Sequence, residues 1–361
     1  MTPLQDYRSK TLCEVLIREI HKLAIGTFRF MEVCGGHTMA IRKYGIPSLL
    51  PDNISLLSGP GCPVCVTSSL FIDQAIFLSR LPGMVICTYG DLMRVRGSAY
   101  SLEEAKATGS DIRVVLSSLH ALNMAQGNPG LQFVFLGIGF ETTAPATAAA
   151  VLMAKQKKIK NFLVLSAHKL MPPAMNAIIT AGTPIDGYIC PGHVCTITGT
   201  LMYKEIVEQH GVGCVVSGFE PLDLLQTVLM LVRQMVTGKP QIEIQYTRAV
   251  KPGGNPKAMA TLFEVFEPAD DWWRGLGIIK ESGLTPGSGF RDFDASRVFR
   301  LPSAEIEEPP GCICGHILKG TRNPSDCPHF GKTCTPETPV GACMVSAEGS
   351  CQTHYRYGEK D

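Results

Sequence analysis

Short apolar runs alternate with longer amphipathic segments along the first 220 residues of the chain. The runs are strand-sized, rich in β-branched residues, and mostly followed by turns that contain glycine. Apolar runs of this length, without polar alternation, predict strands buried on both faces. They fall at 30–34, 54–58, 84–88, 112–116, 133–137, 162–166, 187–190 and 214–217.

The segments between these runs are long enough to form helices, at 69–80, 102–107, 116–125, 143–157, 173–181, 197–208 and 222–237. Strands that alternate with helices are typical of parallel sheets with right-handed crossovers. We therefore predict an α/β fold with two similar parallel-sheet domains, a cleft between them and a third, Cys-rich domain. The predicted domains are 1–126, 127–245 and 246–361.

The composition of the chain narrows the classes of function that the protein can have. Of 361 residues, 45% are hydrophobic and 18% are charged, which favours packed domains over disorder. The net charge of +1 provides no overall field for nucleic acid or an anionic membrane. The N-terminus lacks signal-peptide features, and no apolar stretch is long enough to span a bilayer. We expect a soluble cytoplasmic protein.

The chain has 14 cysteines, a high number for a protein of the reducing cytosol. Cysteine in such numbers indicates metal ligation or thiol chemistry. The C-terminal segment has little apolar periodicity, so a bound metal would substitute for a core there. Its spacing leaves a zinc site and a [4Fe–4S] cluster equally open, the cysteines being Cys312, Cys314, Cys327, Cys334, Cys343 and Cys351.

Reactive residues collect where predicted strands end, which is where parallel sheets bind ligands. Cys34-Gly-Gly-His37 follows the first run. A thiolate beside an imidazole suits a transition metal, and it also resembles a Cys–His nucleophile pair. The alternative is an inert turn.

Cys62-Pro-Val-Cys65 follows the second run and precedes a predicted helix. A thiol at a helix N-terminus is favoured as thiolate, and two thiols at this spacing can form a disulfide or bind a soft metal. The alternative is half of a four-cysteine zinc site, which needs a second pair. The position at a strand end favours redox or metal chemistry.

Two further loops carry candidate residues. Glu141 lies in Gly139-Phe-Glu-Thr-Thr143, and His193 lies in Cys190-Pro-Gly-His193. The alternatives are a helix cap for Glu141 and a backbone-bonded loop histidine for His193. No dinucleotide or Walker A glycine pattern is present. The remaining cysteines in apolar or helical contexts are interpreted as packing residues, namely Cys13, Cys87, Cys195 and Cys214.

Together these segments resemble the HypD family across nearly the whole chain. Several uncommon motifs occur in the family's order, at 30–37, 59–65, 139–143, 191–194, 218–223 and 273–277. The C-terminal segment adds Cys314-Gly, Cys327-Pro, Phe330-Gly, Cys334 and the run from Met344 to Cys351. The resemblance implies two α/β domains and a third that holds a [4Fe–4S] cluster.

The same resemblance implies a role in building the Fe(CN)2CO unit of [NiFe]-hydrogenases. The family acts with the small chaperone HypC, and cyanide arrives through HypE and HypF. A scaffold of this kind is a redox-active assembly factor more than a turnover enzyme.

The resemblance also implies roles for single residues. Cys34 would ligate iron, with Cys62 and Cys65 as a redox pair or further ligands beside it. His37, Glu141 and His193 would orient or protonate intermediates. The cluster ligands would be Cys314, Cys327, Cys334 and Cys351, with Cys312 and Cys343 optional. Family members often carry a second histidine where this chain has Met39, which offers no imidazole.

A second hypothesis is a thiol–disulfide oxidoreductase that reduces a protein substrate through the cluster. It shares the Cys62–Cys65 motif but does not need Cys34-Gly-Gly-His37. A third is a zinc-stabilised interaction protein without redox function.

Overall fold

The computed structural model describes residues 6–304 and 308–358. The strands are β1 Phe28–Glu32, β2 Ile54–Ser58, β3 Met84–Thr88, β4 Ile112–Val114, β5 Gln132–Gly139, β6 Phe162–His168, β7 Gly187–Pro191, β8 Gly213–Ser217, β9 Ile242–Ile244, β10 Phe266–Trp273 and β11 Gly277–Pro286. The α-helices are α1 Lys10–Leu23, α2 Gly35–Lys43, α3 Ile46–Leu49, α4 Pro63–Val66, α5 Ser69–Ser79, α6 Leu102–Ala107, α7 Ser118–Gly127, α8 Ala144–Gln156, α9 Met171–Thr180, α10 Gly192–Thr198, α11 Lys204–His210, α12 Pro221–Thr237, α13 Pro256–Val265, α14 Ala295–Val298, α15 Cys314–Leu318, α16 Ala342–Val345 and α17 Ser350–Tyr357. Short 3-10 helices span Gly90–Leu92, Leu201–Tyr203, Ser288–Phe293 and Pro324–Asp326.

Two parallel sheets form the body of the protein, and the α/β prediction is confirmed. One sheet has the order β2-β1-β7-β8-β9 and the other the order β4-β3-β5-β6, while β10 and β11 form an antiparallel hairpin. The grouping of strands differs from the sequence pattern. Each sheet takes strands from both sides of residue 126, so the sheets do not coincide with the consecutive segments 1–126 and 127–245.

Close packing across β1 and β7 helps to explain this pairing. Phe30 is opposite Gly187 in the parallel register, and a Cβ built on Gly187 would lie 3.2 Å from the Phe30 ring. A residue with a side chain would therefore crowd the ring. An apolar pattern locates strands but does not specify such neighbours, because any parallel strand of similar length satisfies it.

Alternate strand residues face different hydrophobic cores. Met31 and Val134 pack in a central core shared by the two sheets, whereas Phe30 and Phe133 pack in separate outer cores. This follows from the strand period of two, which sends neighbouring side chains to opposite faces. Both sheets are therefore covered on both faces.

One predicted helix is divided in the structure. The segment 197–208 was expected to be continuous, but α10 ends and α11 begins on either side of Gly199. Gly199 has φ +73°, and a Cβ there would lie 2.2 Å from the Pro252 carbonyl oxygen. A left-handed glycine in such a close contact ends the helix.

The C-terminal segment packs directly on the first sheet's loops. Helix α17 contacts α2, and α16 contacts α4. Because α2 and α4 begin at the carboxyl ends of β1 and β2, the cysteines of the C-terminal segment lie close to the predicted cleft. Among the residues described, no helix combines the length and apolar character that crossing a membrane requires.

Candidate functional site

The loops that follow β1 and β2 meet through their backbones. The Gly35 N–H donates to the Gly61 carbonyl oxygen at 3.0 Å. A Cβ on Gly61 would lie 2.1 Å from the Cys34 nitrogen, so only glycine permits this approach. The contact brings Cys34 beside the segment that carries Cys62 and Cys65.

Cys34 occupies the N-cap position of α2 and its side chain is partly exposed. Its N–H donates to Glu32 Oε2 at 3.1 Å, while the Thr38 hydroxyl donates to Glu32 Oε1 at 2.6 Å. Burial raises the pKa of the Cys34 thiol to about 12, and the Glu348 and Glu32 carboxylates add to the rise. The free thiol is therefore protonated at neutral pH, and a metal that binds it must displace the proton.

Cys62 and Cys65 form a disulfide. Cys62 is the N-cap of α4, and its Sγ accepts the Cys65 N–H at 3.2 Å. The side chains are almost inaccessible, with 3% and 0% exposure. The disulfide expected for this pair is present, and metal binding by the reduced pair stays a prediction.

His37 is fully buried in the first turn of α2, among the strand-end loops that were predicted to line the cleft. Its Nε2 donates to the carbonyl oxygens of Ser217 at 3.2 Å and Gly218 at 3.0 Å. Burial lowers the pKa of His37 to about 4, so the ring is neutral at pH 7. With Nε2 protonated, Nδ1 carries the lone pair, and that atom is buried without a hydrogen-bond partner among the described residues.

Phe219 joins the two candidate histidines. Its ring stacks on His37 at 4.5 Å between centroids and on His193 at 4.1 Å. His193 lies in the first turn of α10, and desolvation lowers its pKa. The sequence signal for Phe219 was its place in the Gly218-Phe-Glu motif, but no argument from chemistry singled it out.

Glu141 is buried rather than open to the cleft, with 2% exposure. Its Oε1 accepts the Met171 N–H at 3.0 Å, so it caps α9 and not the helix that follows it in sequence. Burial raises the pKa of Glu141 to about 7. Both Glu141 and Cys34 interact electrostatically with Cys195, whose Sγ lies 3.3 Å from the Tyr203 hydroxyl.

Five C-terminal cysteines line one small cavity with Phe330 and Met344, namely Cys312, Cys314, Cys327, Cys334 and Cys351. Cys343 is not among the lining residues. Hydrogen bonds with the Cys312 and Cys343 thiols hold the pKa of the Cys314 thiol below its usual value, and the Arg274 charge acts in the same direction.

The donor set of this cavity fits an iron–sulfur cluster, and its thiols also fit a four-thiolate zinc site. Its one imidazole is His329, whose two ring nitrogens are engaged by the Pro310 carbonyl and the Thr333 hydroxyl, which leaves the thiols as ligands. In the described parts of the chain, no three His, Cys, Asp or Glu side chains converge closely enough for a single metal ion. A four-iron cluster is larger than one ion and takes four thiolates around its periphery.

The C-terminal segment also reaches the start of α2, next to Cys34. A Cβ on Gly35 would lie 2.6 Å from the Glu348 Cβ, so the Glu348 side chain covers the start of α2. The carboxylates of Glu32 and Glu348 therefore flank the candidate iron ligand from two elements. Sequence reasoning missed Glu32, although a charged residue in an otherwise apolar strand was a usable signal.

Comparison with known proteins adds the family. Residues 11–358 match the HypD family model, described as the hydrogenase formation hypA family. The chain is 48% identical to the hydrogenase maturation factor HypD of Azotobacter vinelandii over 341 residues, covering 92% of this chain and 90% of the relative. It is 46% identical to HypD2 of Bradyrhizobium diazoefficiens over 340 residues, with the same coverage.

A further relative matches almost the whole chain. A putative hydrogenase expression/formation protein of Methanocaldococcus jannaschii is 44% identical over 354 residues, covering 98% of this chain and 99% of the relative. The similarity thus extends over both sheets, the cleft loops and the C-terminal cysteines. On this evidence, the chain belongs to the HypD family of hydrogenase maturation factors.

Proposed function

We propose that this chain is the scaffold on which the Fe(CN)2CO unit of a [NiFe]-hydrogenase is assembled, with Cys34 as the thiolate ligand of the iron cargo. The observation that carries the proposal is the approach of the Cys34 loop to the Cys62–Cys65 disulfide through the Gly35–Gly61 contact. A soft thiolate suits iron that carries cyanide and carbon monoxide.

The second part of the proposal is a [4Fe–4S] cluster held by Cys314, Cys327, Cys334 and Cys351. The thiol-lined cavity supports it. When bound, such a cluster supplies single electrons. The Cys62–Cys65 disulfide takes up two electrons and two protons to become two thiols, and an external low-potential one-electron donor must provide those electrons in two steps.

The neighbouring residues have positioning and proton-handling roles in this proposal. His37 stays neutral with its proton on Nε2, and by donating to the Ser217 and Gly218 carbonyl oxygens it orients the loop after β8 beside Cys34. The Glu32 side chain accepts the Cys34 backbone N–H and so fixes the Cys34 backbone. Glu141, with its pKa raised to about 7 by burial, can exchange a proton near neutral pH, and His193 orients the cargo through its stack on Phe219.

We further propose that a HypC-type chaperone delivers or retains iron with this chain and that a HypE-type protein supplies cyanide. These partners follow from the family resemblance and from the need for a cyanide source. The chain contributes the thiols.

The alternative, a thiol–disulfide oxidoreductase acting on a protein, is favoured by the contact between α4 and α16, which brings the disulfide near the C-terminal cysteines. Against it stands the burial of both sulfur-bearing side chains at 3% and 0% exposure. An attacking thiol must reach a protein substrate, and these side chains do not.

Infrared spectroscopy tests the scaffold proposal. The full chain is purified anaerobically with its small partner, and cyanide and carbonyl stretching bands are expected from the bound iron. Metal analysis of the same sample should give iron and acid-labile sulfide. Zinc without sulfide, together with no diatomic bands, would favour the zinc-stabilised interaction protein instead.

A further inference from the structure

Arg274 is a buried cation at the base of the segment that carries the disulfide. The side chain is 3% exposed. Its Nε donates to the Cys65 carbonyl oxygen at 2.9 Å, and its Nη2 donates to the Thr67 carbonyl oxygen at 2.9 Å. Its own N–H donates to the Val66 carbonyl at 3.3 Å. Three consecutive carbonyl oxygens are therefore fixed by this one residue.

The same turn contacts the C-terminal segment on its other side. A Cβ on Gly275 would lie 2.3 Å from the Gly315 Cα, so the two backbones touch next to Cys314. The Arg274 guanidinium pairs with Glu308 and interacts electrostatically with the Cys314 and Cys343 thiols. Arg274 thus stands between the disulfide segment and the cysteine cavity.

A guanidinium is suited to this position. Its planar fork reaches several acceptors at once, and it keeps its charge when buried. A lysine ammonium is a single point on a flexible stem and cannot hold the Cys65 carbonyl, the Thr67 carbonyl and Glu308 together. Charge and positioning are therefore separable by substitution.

We propose that Arg274 is a positioning residue that holds the Cys62–Cys65 segment against the C-terminal cysteines and sets the reduction potential of the group they bind. Only the claim about the reduction potential rests on the proposed cluster; the claim about the position of the Cys62–Cys65 segment does not. A positive charge nearby stabilises the reduced cluster, which is more negative by one charge, and so raises its potential. Glu308 acts with the opposite sign.

The test of the charge role uses the full chain, reconstituted anaerobically with iron and sulfide, and a redox titration followed by absorbance. Arg274→Gln is expected to lower the midpoint potential and Glu308→Gln to raise it. Arg274→Lys should stay near the wild-type value. Arg94→Gln is the matched control, because Arg94 ties the C-terminal segment down through the Pro336 and Glu337 carbonyls without touching the disulfide segment.

The test of the positioning role needs no cluster. The disulfide of the cluster-free chain is reduced with dithiothreitol, and thiols are counted by alkylation and mass spectrometry. Arg274→Gln and Arg274→Lys are both expected to speed reduction several-fold, because both release the carbonyls around Cys65. Arg94→Gln should leave the rate unchanged.

The outcomes separate this inference from the proposed function. Potentials that move in the same direction in Arg274→Gln and Glu308→Gln, or that do not move, overturn the charge role. If the Arg274→Gln variant binds no cluster, the midpoint potential of the Glu308→Gln variant alone tests the charge role. A wild-type chain that binds no iron–sulfur cluster refutes the proposed cofactor. Unchanged rates of disulfide reduction in both Arg274 variants overturn the positioning role, whether or not the chain binds a cluster.

Discussion

The cleft and the C-terminal segment place their thiols in different ways. In the cleft, Cys34 and the disulfide are held by the ends of β1 and β2, by the Gly35–Gly61 contact and by the Glu32 carboxylate. In the C-terminal segment, cysteines themselves supply much of the buried surface, together with a few residues such as Ile317, Leu318 and Met344. The sheets organise the first site, whereas the second depends on what its thiols bind.

The largest effect is expected from removing a cluster ligand. Single Cys→Ala changes at Cys314, Cys327, Cys334 or Cys351 should release the cluster and raise protease sensitivity after Pro310, because metal–thiolate bonds substitute for a core there. Iron and sulfide analysis and limited proteolysis measure both effects.

Cys343→Ala is the comparison variant, since Cys343 is buried and contacts the Cys314 and Cys351 thiols but does not line the cavity. It should keep the cluster, as should Cys312→Ala. A cluster that survives loss of Cys314 but not of Cys312 would show that Cys312 is the ligand, because both thiols face the cavity.

The cleft should respond differently to loss of its thiol. Cys34→Ser is expected to abolish the cyanide and carbonyl bands while changing the free energy of unfolding by only about 0.5 kcal/mol, since the side chain is partly exposed. Infrared spectra and denaturant titration provide the two readouts. Cys13→Ser, which alters another partly exposed cysteine outside the cleft, should leave the bands intact. Wild-type bands in Cys34→Ser would remove Cys34 as the iron ligand.

Changes to the disulfide should separate the two regions. Cys62→Ala or Cys65→Ala is expected to stop maturation and to leave the C-terminal cluster in place, because the cluster thiols lie in a different segment of the fold. Hydrogenase activity in a maturation assay and cluster absorbance of the purified chain are compared. Loss of cluster absorbance in either variant would mean that the regions are coupled through α4 and α16.

The last prediction concerns Glu141 and is confined to the stability of the folded chain. Burial raises its pKa from 4.5 to about 7, so the folded chain binds the proton more tightly than the unfolded chain. Its contribution is fully present below about pH 4.5 and is lost as the pH rises through 7. At pH 8, Glu141→Gln should therefore raise the free energy of unfolding of the metal-free chain by a few kcal/mol, about 3 at most.

Urea titrations at pH 4.5 and pH 8 measure the difference between wild type and Glu141→Gln. The Met171 N–H keeps an acceptor in the variant, and the amide group placed at the unpartnered Oε2 position is the same at both pH values. The change of the difference with pH therefore isolates the charge. A difference that does not depend on pH would show that Glu141 does not carry the raised pKa.

Local patterns were sufficient for much of the fold. The strands at 54–58 and 84–88 have the predicted bounds, because short apolar runs bounded by turn residues are distinctive. The division of the predicted helix at Gly199 was missed, since the reason is the distant Pro252 carbonyl. The hairpin of β10 and β11 was also missed, because its mixture of charged and aromatic residues lacks a clear period.

The sequence by itself determined the α/β class, the reactive loops at strand ends and, through its ordered motifs, the family. Only the tertiary structure decided which strands share a sheet, that Glu141 caps α9, and that Arg274 stands between the disulfide and the C-terminal cysteines. The physical reason is the range of the interactions. Strand and helix patterns reflect neighbours in sequence, whereas Arg274 contacts Cys65 and Thr67 across more than 200 residues, a pairing that no local pattern encodes.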